Sequence, residues 1–316
     1  MINWAIIGLG NIAGRFAESL KHLPNGKLFA VSSRSQAKAD TFAKKFSAVK
    51  SYASHEKLLA DKNIQAVYLA LPHAMHKDFS IQTLNAGKAV LCEKPATLNF
   101  FEMNEVAEVS RRKKILFMEA MKPRFQPLYK KLKEKISDGK LGKILSVETS
   151  LCNEMTLTGK TYHSEKNQGG ALLDVGIYCA SWLEDFLGEV TAAKKISFDV
   201  RDEIDYYIDA ELNFSGRIGR LECAFDRKKS RQAILNFERG KILVDELHRP
   251  QSMKIFSEGG EEILTAPYEV DDFFCEIKHF TNLIERGKIE SEVMSLQASL
   301  NCAKILQEIR KIIFEG

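Results

Sequence analysis

The sequence predicts an α/β protein with two domains: a doubly wound parallel sheet, then an α+β domain with an open, mostly antiparallel sheet. Strands and helices alternate from Trp4 to Glu119, which is the pattern of a parallel sheet covered by helices. After Met121 the pattern changes to strands separated by turns. A chain of 316 residues is long enough for two such domains. We expect boundaries of 1–120 and 121–316.

The first strand, Trp4 to Ile7, ends in a glycine-rich turn that leads into a helix. The turn fits the spacing G-x-G-x-x-A, in which the first glycine permits a tight bend and the second lets a pyrophosphate approach the backbone. The alanine lets the helix lie close to the strand. The helix start presents N–H groups to an anion. This spacing favours a Rossmann dinucleotide-binding domain over an ordinary glycine-rich turn. The residues expected to bind the dinucleotide here are Gly8, Gly10, Asn11, Ile12 and Ala13.

The end of the second strand, Lys27 to Ser32, indicates which dinucleotide is bound. A site for NAD usually has an Asp or Glu here to accept hydrogen bonds from the ribose, and this chain has none. It has Ser33, Arg34 and, one helical turn on, Lys38. Arginine binds a 2′-phosphate in bidentate fashion and stacks on adenine. The sequence therefore predicts NADP as the preferred cofactor, with NAD possible; an ordinary surface cation is the alternative interpretation of Arg34.

Three further apolar runs read as buried parallel strands: Ile64 to Leu71, Ala89 to Cys92 and Ile115 to Glu119. In such sheets the ligand lies at the carboxyl ends of the strands. The residues that follow these strands are therefore candidates for the same crevice. They are Leu71, Pro72, His73, His76, Glu93 and Lys94.

The second half begins with a predicted helix, Leu128 to Ser137, and then gives a series of alternating segments. The predicted strands are Ile144 to Cys152, Ala192 to Val200, Ile208 to Phe214, Gly219 to Phe225, Gln232 to Phe237 and Lys241 to Asp245. Helices at Asp271 to Arg286 and Glu292 to Ile312 close the chain, and the last can pack against either domain. An open sheet bearing apolar residues favours self-association, so we expect a homodimer or homotetramer formed through it.

One apolar stretch of the second half, Gly169 to Trp182, predicts a buried helix with polar groups in it. Asp174 and Tyr178 are four residues apart, which places them on one helical face. Tyr178 and Lys94 both ordinarily titrate near a pH of about 10. A positive neighbour lowers a tyrosine pKa, and burial lowers a lysine pKa, toward values suited to proton transfer. A core tyrosine and a solvated lysine are the alternative interpretations.

Composition and charge exclude several classes of function. The net charge is only +4, from 46 basic and 42 acidic residues mixed along the chain, which does not favour a nucleic-acid or membrane partner. The six cysteines are scattered without metal-ligand spacing, so we expect neither a metal site nor disulfides. Reduced thiols and the lack of a signal-peptide pattern predict a cytoplasmic protein.

Taken together, these motifs resemble the Gfo/Idh/MocA family of NAD(P)-dependent oxidoreductases along essentially the whole chain. The resemblance rests on the glycine turn, on Leu71-Pro-His-Ala-Met-His76, on Glu93-Lys-Pro95, on Glu119-Ala-Met-Lys-Pro-Arg-Phe125 and on Gly170-Ala-Leu-Leu-Asp-Val-Gly-Ile-Tyr178. The last segment is similar to the branch that contains dimeric dihydrodiol dehydrogenase and NADP-dependent xylose dehydrogenase.

This resemblance implies roles for particular residues. Lys94 and Tyr178 would be the catalytic pair, and Asp174 would orient the substrate. The Lys94–Pro95 peptide would be cis. The family's second domain carries the open sheet through which subunits associate.

The segment after Glu119 departs from the dihydrodiol dehydrogenase pattern Glu-Ala-Phe-Trp-Thr-Arg-Phe. Met121, Lys122 and Pro123 replace the three central residues, and a Trp that would stack on an aromatic ring is lost. Lys122 suits a polar or anionic substrate, so we expect a sugar or polyol. The residues expected to bind it are Lys94, Lys122, Arg124, Asp174 and Tyr178.

The leading hypothesis is an NADP-dependent dehydrogenase or reductase that moves a hydride between nicotinamide and a secondary alcohol or ketone of a sugar-like substrate. Two alternatives stay open at this point. One is a non-catalytic NADP-binding sensor, which Lys94 and Tyr178 disfavour. The other is a glycosidase that uses a tightly bound NAD as a recycled cofactor. A methyltransferase, which also uses a glycine-rich first turn, is disfavoured by the basic end of the second strand.

Overall fold

The computed structural model describes residues 1–155 and 161–315, and it divides the chain into two compact units. The first comprises Met1–Thr97, Phe101–Ala120 and Glu269–Leu296. The second comprises Leu98–Phe100, Met121–Tyr268 and Gln297–Gly316, of which the last residue is not described. In this division the chain passes into the second unit after Ala120 and returns to the first unit at residues 269–296.

The first unit is built on a six-stranded sheet in the order β3-β2-β1-β4-β5-β6, with every pair parallel. The strands are β1 (Ile2–Ile7), β2 (Gly26–Ser32), β3 (Lys50–Tyr52), β4 (Ala66–Leu69), β5 (Ala89–Glu93) and β6 (Phe117–Ala120). The chain leaves β1 toward β2 on one side and places β4 on the other, so the strand order reverses at β1. In open α/β sheets this reversal marks the ligand crevice.

Five helices follow these strands in turn and bury their apolar faces on the sheet. They are α1 (Asn11–Leu20), α2 (Gln36–Phe46), α3 (His55–Ala60), α4 (His76–Asn85) and α5 (Phe100–Lys113). The core beneath α1 is aromatic: Phe16 stacks on Tyr68 at 3.9 Å between ring centroids and meets Trp4 edge-on at 5.3 Å. This packing fixes α1 on the sheet and so fixes its N-terminus at the end of β1.

The second unit holds an eight-stranded sheet in the order β14-β13-β12-β11-β7-β10-β9-β8, packed on one face by a helix. Its first two helices are α6 (Pro127–Ser137) and α7 (Ile177–Leu187), and nearly all of the last helix of the chain also belongs to it. Its strands are β7 (Ile144–Cys152), β8 (Ala192–Arg201), β9 (Ile204–Phe214), β10 (Arg217–Ala224), β11 (Ala233–Phe237), β12 (Gly240–Val244), β13 (Ser252–Ser257) and β14 (Gly260–Thr265). Only β7 and β10 pair in parallel among these strands. The predicted fold class is confirmed.

Two helices close the chain, α8 (Phe274–Glu285) and α9 (Leu296–Phe314). Segment 269–296, which includes α8, is tied to the first unit: Asp272 forms an ion pair with Arg15, and Asp271 accepts a hydrogen bond from Ser19. The indole of Trp4 donates to Thr281 at 3.3 Å. These contacts with β1 and α1 explain why a segment so late in the sequence completes the first unit.

The face of the second sheet opposite α7 is more polar than expected. Gly219, on the covered face of β10, packs under Leu183 and Leu187 of α7, so the neighbouring Arg220 and Glu222 point to the other side. There Arg220 binds Asp209 through two hydrogen bonds of 2.7 Å. Glu222 pairs with Lys229 and accepts from Tyr207. This face therefore carries a charged network on β9 and β10 and, on the distant edge strand β14, the exposed apolar side chain of Ile263.

Within the described part of the chain, no helix is both long enough and apolar enough to cross a bilayer. All six cysteines are free thiols, and five of them are buried.

Candidate active site

The glycine turn lies at the end of β1, where the backbone comes closest to its neighbouring strand. Gly8 has φ +92°, and a Cβ there would lie 2.7 Å from the carbonyl carbon of Ala70. Only glycine fits both the conformation and the space. Gly10 is the N-cap of α1, and a Cβ placed on it would meet nothing within 4 Å. Ala13 is fully buried against the sheet. The turn thus leaves open space in front of the helix N-terminus.

The first turn of α1 has the electrostatics of an anion site. Its N-cap offers no side chain to the backbone N–H groups, and the turn contains no acidic residue. Asn11 is exposed and Ile12 is half-buried. Because the first N–H groups of a helix lack partners within the helix and carry a partial positive charge, a phosphate is stabilised here.

The end of β2 presents two exposed cations beside a helix start. Ser33 donates its backbone N–H to Tyr52, and Ser35 caps α2 by accepting from the N–H of Lys38 at 3.3 Å. The side chains of Arg34 and Lys38 are exposed, and neither takes part in an ion pair within the described ranges. Unpaired cations at a helix N-terminus are unfavourable unless an anion is near them. The arrangement suits a phosphate on the adenosine ribose.

The loop after β4 is followed by His76, which is predicted to bind the cofactor and lies in the interior of the first unit. Its ring is completely buried. Nδ1 lies 2.7 Å from the carbonyl oxygen of Pro95, and Nε2 lies 2.8 Å from that of Leu71. Because the backbone occupies both ring nitrogens, His76 braces the loops after β4 and β5. His73 is also buried, whereas Leu71 and Pro72 are half-buried.

The end of β5 carries the predicted catalytic lysine in a loop shaped by two carboxylates. The peptide between Lys94 and Pro95 is cis, as the resemblance implied. Glu93 accepts from the hydroxyl of Tyr68 and, at 3.2 Å, from the backbone N–H of Lys94. Glu119, on β6, accepts from the N–H of Ala96 at 2.9 Å. Both carboxylates therefore hold the backbone of the loop that presents Lys94.

In the second unit, the predicted helix contains a local irregularity that the sequence did not reveal. Leu172–Gly176 forms a π-helical turn, and α7 continues from it. Asp174 lies in this turn, and its Oδ2 is 3.5 Å from Nε2 of His163. Gly176 lets the turn pack on β10, since a Cβ there would lie 3.0 Å from Sγ of Cys223. Single π turns within helices are often found at functional sites.

Tyr178 lies in the first turn of α7 and is 9% exposed. The ring of His248 lies 6.0 Å from its ring, measured between centroids. The loop with His248 is held by Trp182, whose indole N–H donates to the carbonyl of Leu247 at 3.0 Å. His248 is therefore a further candidate for contact with the substrate. No motif in the sequence pointed to it, because it follows β12 by a few residues in an irregular loop.

The segment Lys122–Phe125 is a short 3₁₀ helix that carries two predicted substrate ligands, Lys122 and Arg124. Lys122 and Arg124 are both buried. The guanidinium of Arg124 donates to Oγ and the carbonyl of Ser181 at 2.8 and 2.6 Å, and to Glu184 at 2.6 Å. Arg124 therefore anchors α7 within the second unit, and its contact with substrate stays a prediction.

Buried charge around Arg124 is compensated rather than exposed to a ligand. Burial acts to lower the pKa of Arg124, but Asp185 and Glu184 raise it above its ordinary value. Burial likewise acts to raise the pKa of Asp185, and Arg124 with Lys133 brings it below its ordinary value. Tyr129 donates to Asp185 at 2.6 Å. Arg124 and Asp185 therefore find their partners within the second unit, and these contacts stabilise the C-terminal half of α7.

Comparison with known proteins places both halves of the chain. Residues 2–121 match the model described as "Oxidoreductase family, NAD-binding Rossmann fold" of the GFO_IDH_MocA family. Residues 129–243 match the "GFO/IDH/MocA C-terminal domain".

Two relatives match along nearly their whole length. The chain is 31% identical over 319 residues to scyllo-inositol 2-dehydrogenase (NADP(+)) IolU of Bacillus subtilis (strain 168), covering 98% of this chain and 97% of that protein. It is 31% identical over 325 residues to trans-1,2-dihydrobenzene-1,2-diol dehydrogenase of Mus musculus, covering 99% and 97%. Among solved structures, the aldose-aldose oxidoreductase of Caulobacter crescentus matches with a TM-score of 0.90 at 21% identity, covering 100% of this chain and 98% of that one. This last likeness supports the fold.

Proposed function

Because the chain belongs to the GFO/IDH/MocA family of oxidoreductases, we propose that it is an NADP-dependent dehydrogenase or reductase of a sugar-like or polyol substrate. It would transfer a hydride between the nicotinamide and a secondary alcohol or its ketone. The observation that carries the proposal is the match, over nearly the whole chain, to two dehydrogenases whose names specify a cyclic polyol and a cyclic diol.

The residues of the first unit fit a phosphorylated dinucleotide. Gly8 and Gly10 leave the backbone open in front of α1, where a side chain would obstruct a pyrophosphate. Arg34 and Lys38 supply exposed positive charge at the start of α2, and no carboxylate stands there to repel a 2′-phosphate. When bound, NADP⁺ supplies the hydride acceptor.

The proposed chemistry assigns one task to each of three side chains. Tyr178 accepts the hydroxyl proton of the alcohol at its Oη, and the proton then passes to solvent as the ketone forms. We assign to the Lys94 ammonium the stabilisation of the Tyr178 phenolate that accepts the proton and of the negative charge that develops on the substrate oxygen. Asp174 accepts a hydrogen bond from a neighbouring substrate hydroxyl and so orients the ring. In the opposite direction Tyr178 returns the proton to the ketone oxygen.

The surroundings of Asp174 and Tyr178 support a polyol. His163 and His248 add ring N–H groups and acceptors near them. Imidazoles and carboxylates hydrogen-bond hydroxyl groups well, and a site built to do so discriminates strongly against analogues that lack them. Met121 and Lys122 occupy the positions of Phe and Trp in the dihydrodiol dehydrogenase pattern described above. Because the Trp that would stack on an aromatic ring is absent, an aromatic diol is disfavoured.

A substrate screen tests the function. The purified protein is incubated with NADP⁺ and each of scyllo-inositol, myo-inositol, D-xylose, D-glucose and glycerol, and NADPH absorbance is followed. We expect turnover with a cyclic polyol or sugar. Tyr178→Phe should lower kcat by about 100-fold or more and leave the Kd of NADPH unchanged. Tyr52→Phe, whose hydroxyl donates to Asp61 in the first unit, is the matched control. Absence of turnover with tight NADPH binding would favour a sensor.

A binding experiment tests the cofactor. Arg34→Ala should raise the Kd of NADPH by about tenfold or more and that of NADH much less, because only the former carries the phosphate that Arg34 binds. Arg111→Ala, at the last turn of α5, serves as the control. Equal losses of affinity for both nucleotides would reject the assignment of Arg34.

We also propose that the protein forms a homodimer or homotetramer through its second sheet and acts in the cytoplasm. The long open sheet face, with the charged network around Glu222 on β10 and the exposed Ile263 on the edge strand β14, supports association. The free thiols support a reducing compartment. Light scattering of the purified protein tests the assembly, and a monomer at micromolar concentration would reject it.

A further inference from the structure

A buried carboxylate, Asp205, meets the start of the helix that carries Asp174 and Tyr178. Asp205 is the second residue of β9 and is only 1% exposed. Its Oδ2 accepts from the backbone N–H of Leu172 at 2.6 Å. Leu172 is the first residue of the π-helical turn. The first N–H groups of a helix need partners from outside it, and a residue far along the chain supplies one here.

The backbone in front of this turn is shaped to admit the carboxylate. Gly170 has φ +98°, and a Cβ on it would lie 2.6 Å from Cγ of Asp205. Any other residue would push the carboxylate away and would strain the backbone. The N–H of Gly170 donates to the carbonyl of His163 at 3.1 Å, and the N–H of Gly169 donates to that of Glu165 at 2.8 Å. The helix start is therefore held both by Asp205 and by the carbonyl groups of His163 and Glu165.

Two residues at this helix start, Gly170 and His163, also contact Asp174, which is assigned a role in the chemistry. Gly170 accepts from the N–H of Asp174 at 3.3 Å, and His163 lies 3.5 Å from the Asp174 carboxylate. Because a π turn holds one residue more than an α turn, the residue at which it starts sets the direction of every side chain that follows. Fixing the N–H of Leu172 thus fixes the rotation of Asp174 and of Tyr178 about the helix axis.

The position is an expensive one for a charge. Burial raises the pKa of Asp205 to about 6, although Leu172 and, from α9, Arg310 act to lower it. Burial also lowers the pKa of Arg310. A buried charge of this kind contributes little to stability, so its value lies in the geometry it imposes.

We propose that Asp205 is a positioning residue of the active site, which orients Asp174 and Tyr178 by holding the N-terminus of their helix. The proposal rests on the proposed function of those two residues. Asp205 acts through them and does not touch the substrate.

The test compares Asp205→Asn with Asp202→Asn, an exposed aspartate in the turn before β9. With the best substrate of the polyol screen, Asp205→Asn should lower kcat by about tenfold or more, because an amide keeps the shape but cannot accept from every N–H that the carboxylate serves. The Kd of NADPH should not change, since the cofactor residues lie in the other unit. Asp202→Asn should match the wild type in both.

A double-mutant cycle separates this proposal from the one on which it rests. If Asp205 acts through Tyr178, adding Asp205→Asn to Tyr178→Phe should lower kcat by less than about twofold further. A full additional loss would overturn the positioning role. If Tyr178→Phe itself keeps wild-type kcat, the proposed function of Tyr178 fails, whatever Asp205 does. If Tyr178→Phe loses activity and Asp205→Asn does not, only this inference fails.

Hydrogen exchange gives a readout that needs no substrate. In the free protein, Asp205→Asn should increase amide exchange in peptides covering 170–178 by about tenfold or more, because the amide has one acceptor oxygen where the carboxylate has two and cannot accept from both Ala171 and Leu172. Asp202→Asn should leave that exchange unchanged. Wild-type exchange at 170–178 in Asp205→Asn would overturn the proposal.

Discussion

At its N-terminal end the helix that carries Tyr178 is held by one buried carboxylate against backbone N–H groups, whereas near its C-terminal end a guanidinium is held among carboxylates. Burial makes the charged form of Asp205 unfavourable and raises its pKa to about 6. Arg124 has compensating charges around it, and the pKa of Asp185 there is lowered by the guanidinium although burial opposes this. Removing one charge should therefore cost most at the paired end, where it leaves buried carboxylates without their partner. At the other end, called unpaired because Asp205 forms no ion pair with a described side chain, the carboxylate should contribute geometry.

The largest effect is expected at the paired end. Arg124→Met should lower the free energy of unfolding of the second unit by about 3–5 kcal/mol, because it leaves Glu184 and Asp185 buried without their partner. Lys133→Met is the control: Lys133 also pairs with Asp185, at 2.8 Å, but is 44% exposed, so a loss below about 1 kcal/mol is expected. Urea unfolding in a Trp4→Phe background, where Trp182 is the remaining tryptophan, reports on this unit. Equal losses for both variants would break the comparison.

The next effect is a pH dependence with a defined sign at the unpaired end. The folded pKa of Asp205, about 6, exceeds its ordinary value of 3.8. Its contribution to stability is therefore full below pH 3.8 and is lost as the pH rises through 6. Relative to Asp205→Asn, the wild type should gain up to about 3 kcal/mol when the pH falls from about 7 to about 4. Asp185 has the opposite sign but is shared by both proteins, so it cancels.

The same unfolding measurement at a series of pH values checks this prediction. A stability difference between wild type and Asp205→Asn that stays constant with pH would show that Asp205 ionises as freely in the folded chain as in the unfolded one. The contrast between the two ends of α7 would then lose its electrostatic basis.

The smallest effect compares two glycines, one at each end of the helix. Gly188, the C-cap of α7, has φ +83° and open space around a Cβ, whereas a Cβ on Gly170 would press on Asp205. Gly188→Ala should cost about 1–3 kcal/mol for the conformation alone, because φ +83° with ψ −141° is a conformation adopted essentially by glycine only. Gly170→Ala should cost about 1–3 kcal/mol more and should also lower kcat. Equal effects of the two substitutions on the free energy of unfolding and on kcat would show that the close approach of Asp205 to Gly170 affects neither.

The sequence was most informative where structure depends on neighbours in the chain. The turn at Gly8 and Gly10 and the alternation of the first unit follow from local spacing, and both were predicted. The hairpin of β13 and β14 was missed because β14 is an exposed strand with two glutamates, so it shows little apolar alternation. Residues 269–296 belong to the first unit through partners in β1 and α1 that are 277 and 252 residues away in sequence, and no local pattern reveals such contacts.

Side-chain roles were harder to predict than elements. Arg124 matches a motif, but its partners Ser181 and Glu184 are 57 and 60 residues away, and only the folded chain shows that they occupy its guanidinium. Both ring nitrogens of His76 likewise lie within hydrogen-bond distance of backbone carbonyls, which the sequence does not reveal. Asp205 gave no signal at all, since its partner is a backbone N–H that carries no sequence information.

The return of residues 269–296 to the first unit bears on the order in which the chain matures. Phe280 of α8 lies 5.2 Å from Trp4, between ring centroids, in the core beneath β1. A nascent chain that has emerged only as far as Ala120 lacks this cover and the carboxylates that bind Arg15 and Ser19. The nucleotide-binding half would therefore reach its finished form only after most of the other half has left the ribosome, and a chain that stops before α8 would leave the aromatic centre of the first unit exposed.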